Sequence, residues 1–119
     1  MEIKITEING VAIAEIISDS IIINETQDAL DIMAESNYMG SWKIIMHEKN
    51  IIAGFFDLKT GLAGEILQKF STYNVQLAIV GDFTKYSGKS LKDFIYESNK
   101  YGRINFVNSV DEAKARLAK

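Results

Sequence analysis

The chain has 119 residues with 13 basic and 16 acidic side chains, a formal charge of −3, and is 47% hydrophobic and 24% charged. This supports one domain burying roughly two-thirds of its unfolded surface, and it excludes a disordered chain. With no Cys and one His, a disulfide framework, a thiolate metal site, a cysteine nucleophile and a multi-histidine centre within one chain are excluded, and neither a metal nor another cofactor is expected.

Ile3-Lys4-Ile5-Thr6 alternates as a half-buried strand does, and Asn9-Gly10 supplies two residues tolerant of positive φ before Val11-Ala12-Ile13-Ala14. The pattern predicts an opening β-hairpin. The run Ile21-Ile22-Ile23 is too short to classify by period. At its end, Asn24 as N-cap with Gln27 three residues later predicts a helix to about Ser36. Ala29, Leu30, Met33 and Ala34 are expected on its apolar face, and Asp28, Asp31 and Glu35 on the other.

Strand and helix then alternate. Trp42 to His47 is a strand candidate, Leu62, Ala63, Ile66, Leu67 and Phe70 form a helical stripe, and Val75 to Val80 is the apolar run of a strand inside a parallel sheet. Ser90 with Asp93 predicts the cap of a helix carrying Leu91, Phe94 and Ile95. Ile104 to Val107 is a further strand, and Ser109 with Glu112 caps a last helix. Without proline or low-complexity sequence to mark a boundary, residues 1–119 read as a single α/β domain: an N-terminal β-hairpin followed by alternating helices and strands of a mixed sheet with flanking helices.

Residues 1–84 hold 5 basic and 12 acidic side chains, whereas residues 85–119 hold 8 basic and 4 acidic. Lys85, Lys89, Lys92, Lys100 and Arg103 are expected on solvated helix faces, and without interleaved aromatics they do not suggest nucleic-acid binding. No apolar run approaches the roughly 18 residues of a membrane span, and the amino terminus lacks the pattern of a signal peptide. A cytoplasmic protein is expected.

Gly81 to Ser90 follows a strand and opens a helix, as a phosphate-binding loop does, but six residues separate Gly81 from Gly88 where such a loop needs four. Lys89 and Ser90 at the helix start are the part able to hold an anion. His47-Glu48 lies at the carboxyl end of a strand, although neighbours on a strand point to opposite faces. Asp57 and Asp82 each end a segment and are candidates to meet. The richest segment is Phe55-Phe56-Asp57-Leu58-Lys59-Thr60-Gly61-Leu62-Ala63-Gly64. Two adjacent aromatics cannot share one side of a strand, and Gly61 and Gly64 suggest a close approach or positive φ, with Thr60 or Asp57 as cap.

The strings FFDLKTGLAGEILQKF, LAIVGDF, SLKDFIYESN, TQDALDIMAE and GRINFV resemble the bacterial family known by the domain-of-unknown-function number 4180 over nearly the whole chain. That resemblance implies no reaction. The element order is also similar to the STAS domain of sulfate transporters and anti-sigma factor antagonists, implying a STAS-like fold. In those antagonists an Asp-Ser-Ser-Gly-Leu loop is phosphorylated on the Ser next to Gly. Anchoring on Gly61-Leu62 puts Thr60 at that hydroxyl and Lys59 at the other Ser, with Leu58 in place of the acidic residue.

The expected function is therefore a non-catalytic regulatory module that recognises a protein partner through Phe55, Phe56, Asp57, Lys59, Thr60, Gly61 and Gly64. The alternative is a small-molecule or anion binder, with weak enzymatic activity if any, built from His47, Asp57, Asp82 and Lys89. An exposed Phe55 or Phe56 favours the first reading. A pocket lined by the four polar residues favours the second.

Overall fold

The computed structural model describes all 119 residues. Strand β1 (Glu2–Ile8) turns at Asn9-Gly10 into β2 (Val11–Ile17), followed by helix α1 (Thr26–Tyr38), β3 (Lys43–His47), α2 (Leu62–Thr72), β4 (Gln76–Val80), α3 (Lys89–Tyr101), β5 (Ile104–Val107) and α4 (Val110–Leu117). Asn9 and Gly10 both have positive φ, which suits the twist of a two-residue hairpin.

The five strands lie in the order of the chain, β1-β2-β3-β4-β5. β1 is antiparallel to β2, and the other neighbours are parallel. The sheet is therefore mixed, as expected. Because successive parallel strands are added in one direction with one handedness, α1, α2 and α3 fall on the same face. Their Ile32, Met33, Ile66, Phe70 and Leu91 pack on Ile44, Met46, Leu77, Ile79 and Phe106. The alternate strand residues Ile13, Ile45, Ala78 and Val107 meet Ala113, Leu117 and Ala118 of the C-terminal segment on the opposite face.

Several local expectations need correction. α1 is capped at Glu25 rather than Asn24: the Asp28 carboxylate accepts the backbone N–H groups of Asn24 (2.9 Å) and Glu25 (3.2 Å), moving the start by one residue. Its buried face is Ala29, Ile32, Met33 and Ser36, and Ala34 is exposed. α3 starts two residues early, with Gly88 rather than Ser90 as N-cap, so Ser90 lies inside its first turn and Lys89 pairs with Asp93 at 2.7 Å. By contrast, the Ser109 hydroxyl accepts the Glu112 N–H at 3.1 Å, as its cap predicts. The run Ile21-Ile22-Ile23 makes only an isolated bridge, Ile23 to Ile51. No helix is long and apolar enough to cross a membrane.

Candidate functional site

The carboxyl ends of β3 and β4 feed the two loops that build the site. The first, between β3 and α2, contains 3-10 turns at Glu48–Asn50, Ala53–Phe56 and Leu58–Thr60. The expectation of outward-facing Phe55 and Phe56 fails here: they are 2% and 5% exposed. They lie in a 3-10 turn, whose roughly three residues per turn set neighbours about 120° apart, so both rings reach the core beneath α2. The rings meet edge to face at 4.9 Å.

The exposed side of this loop is polar. Asp57 accepts the Lys59 N–H at 3.2 Å and so caps the last 3-10 turn. The Thr60 hydroxyl donates toward the carbonyls of Gly54 (2.7 Å) and Asp57 (2.9 Å) and accepts the Leu62 N–H (3.2 Å). Although Thr60 is exposed, its oxygen is committed to stitching the loop to α2. Gly61 has φ +77°, which an L side chain adopts only with strain. Gly64 departs from expectation: it is exposed, has ordinary φ, and a Cβ there meets nothing within 4 Å.

Between this loop and the start of α3 lies a cleft of about 460 Å³. Phe56, Leu58 and Leu91 form its apolar wall, and Asp57, Lys59, Gly88, Lys89 and Ser90 its polar side. Gly88 offers no capping side chain, leaving the N–H groups of Lys89, Ser90 and Leu91 without intrahelical acceptors at the positive end of the helix dipole. The Asp93 carboxylate raises the Lys89 pKa, chiefly through their hydrogen bond, so this ammonium is retained. Of the four expected ligand-binding residues, Asp57 and Lys89 share this cleft, whereas His47 and Asp82 do not line it.

His47 and Glu48 are separated by the sheet. His47 Nε2 lies 2.9 Å from Glu15 Oε2, in a pair that is 22% and 15% exposed. Glu48, 9% exposed, accepts a hydrogen bond from the Tyr86 hydroxyl and lies 2.8 Å from the Lys85 ammonium. Tyr86 stacks on Phe56 at 5.2 Å. Burial first, and the Glu48 carboxylate second, push the Tyr86 phenol well above the ordinary tyrosine range. Glu48 thus anchors the second loop against the aromatic wall of the cleft. Gly81 makes room for it, since a Cβ there would lie 2.7 Å from the Glu48 Cβ.

Asp82 is spent locally: it accepts the Thr84 hydroxyl (2.6 Å) and N–H (3.0 Å), bonds that lower its pKa. No three of the His, Asp and Glu side chains gather as metal ligands. Sequence reasoning missed Glu15 as the partner of His47 and Tyr86 as the partner of Glu48. The charge inside the apolar run VAIAEII was the available signal for Glu15.

The family description "Domain of unknown function (DUF4180)" matches residues 8–117. None of the curated proteins and none of the solved structures matches the chain.

Proposed function

Because the chain belongs to the DUF4180 family, whose description states no activity, we propose a function from the site itself: a regulatory module that binds a small molecule with an apolar ring and a phosphate or carboxylate group. One observation supports this reading. At the cleft, Lys59, Lys89 and the free first-turn N–H groups of α3 stand beside the apolar wall of Phe56, Leu58 and Leu91. An anion gains from the helix dipole and the Lys59 ammonium, with Lys89 shared with Asp93, while the wall takes the ring. Asp57 opposes an anion weakly because its carboxylate turns back to its own loop.

Recognition of a protein partner belongs to the same reading. Asp57 and Lys59 line the cleft and continue into the exposed Thr60, Gly61 and Gly64, so a bound ligand alters the surface a partner meets. The hairpin followed by alternating helices and strands supports the STAS-like resemblance, in which the corresponding loop is regulatory. We place this role in the bacterial cytoplasm.

The test is an amide-resolved NMR titration with inorganic phosphate and with phenyl phosphate. Saturable shifts confined to residues 56–59 and 88–91, with phenyl phosphate the tighter ligand, are expected. The double variant Lys59→Ala/Lys89→Ala should weaken binding at least tenfold. Absence of saturable shifts with either compound refutes the assignment.

A further inference from the structure

The two edges of the sheet are treated differently. On β5 the outward N–H and C=O groups of Phe106 are taken by the side chain of Asn99, which accepts the N–H at 2.7 Å and donates to the carbonyl at 3.1 Å. With its four residues and this amide laid along it, β5 offers no template for another strand. The opposite edge, β1, has seven residues, no proline and no covering side chain of this kind.

Hairpin parity identifies the groups β1 leaves free. Ile8 and Val11 flank the two-residue turn as a hydrogen-bonded pair, so Glu2, Lys4, Thr6 and Ile8 bond inward to β2. The N–H and C=O groups of Ile3, Ile5 and Glu7 therefore face outward. Ile5, the middle residue of the strand, is 37% exposed.

We infer that β1 is a homodimer interface, pairing antiparallel with β1 of a second copy about a two-fold axis at Ile5 so that the two sheets become one. Two-fold symmetry with outward groups only on odd-numbered residues restricts the registers. Centring on Lys4 opposes two ammonium groups, and centring on Thr6 leaves Glu2 and Ile3 beyond the partner's strand. Centring on Ile5 pairs all seven residues: Ile5 with Ile5, Ile3 with Glu7 of the second copy, Lys4 with Thr6 and Glu2 with Ile8. No like charges are directly opposed, and the exposed Ile5 side chains cover each other.

Sedimentation equilibrium tests this, with the wild type expected at twice the 13.3 kDa chain mass. Ile5→Pro removes an outward N–H without touching the bonds to β2, so it should be monomeric with unchanged circular dichroism. If it fails to fold, Ile5→Lys and Ile5→Glu decide: each alone should be monomeric, with association weakened at least tenfold, and an equal mixture should dimerise. A monomeric wild type at about 100 μM, a folded Ile5→Pro dimer, a dimer of either charged variant alone, or a mixture that stays monomeric would each overturn the inference.

Discussion

Gly81→Ala probes the link between β4 and the loop that carries Glu48. The backbone at Gly81 is not in the left-handed region, so alanine meets no conformational penalty there. The penalty is steric: the new Cβ would stand 2.6 Å from Glu48 Oε1, 2.7 Å from Glu48 Cβ and 3.2 Å from the Phe83 ring. The carboxylate can swing away, but the Glu48 Cβ moves only with its backbone. Overpacking of this kind costs about 1–3 kcal/mol. Displacing Glu48 also disrupts its bond from Tyr86, of a type worth about 1.5–3 kcal/mol, whereas the half-exposed Lys85 ammonium adds little. A total of about 2.5–6 kcal/mol is expected from urea unfolding followed by circular dichroism. Glu48→Ala should relieve little of the clash because it retains the Cβ, and Glu48→Gly should relieve most of it, giving a favourable coupling in the double variant. If Gly81→Ala unfolds at the wild-type urea midpoint, the close approach and the reasoning built on it are wrong.

Gly64→Ala should stabilise the protein by about 0.5–1 kcal/mol in the same assay, since it removes a helical glycine at an open surface position. Thr60→Ala should cost about 0.5–2 kcal/mol while Thr60→Ser remains near wild type, because the hydroxyl rather than the methyl joins the loop to α2. Tyr86→Phe should cost about 1.5–3 kcal/mol at neutral pH. It should also flatten the alkaline side of the stability profile: the folded state holds the Tyr86 proton more tightly than the unfolded chain, so its contribution is full below about pH 10 and falls as pH rises beyond it. An unchanged alkaline slope in pH-dependent urea midpoints would contradict this.

The strands were legible because each carries its own signal: period two in the hairpin, a nearly continuous apolar run in the doubly covered β4, and in β5 an apolar run broken only by Asn105. The cap of α4 was legible because Ser109 with Glu112 forms a capping-box pair that the fold keeps, the Ser109 hydroxyl accepting the Glu112 N–H. The cap of α1 was not, since Asn24, Glu25, Gln27 and Asp28 offer overlapping alternatives and the Asp28 carboxylate decides between them. Phe55 and Phe56 misled because a strand-like alternation was applied to a 3-10 turn. The candidate site was only half legible. Asp57 stands out as a cap and Lys89 as a residue at a helix start, but that they share a cleft depends on how α2 and α3 pack. The pairs His47–Glu15 and Glu48–Tyr86 join residues 32 and 38 positions apart, and no local period encodes such separations.

The agreement between strand order and chain order bears on how the protein is made. Each newly added strand pairs with the one before it, so every step closes a loop no longer than one crossover, and no strand has to insert between two already placed. The sheet is therefore suited to growing from its hairpin as the chain emerges during synthesis, with α1, α2 and α3 covering one face along the way. The row Ile13, Ile45, Ala78 and Val107 on the other face waits for α4, the last helix. A chain stopped after Asn108 would carry all its strands with this apolar row bare, a nascent state open to aggregation and to chaperones until the final helix docks.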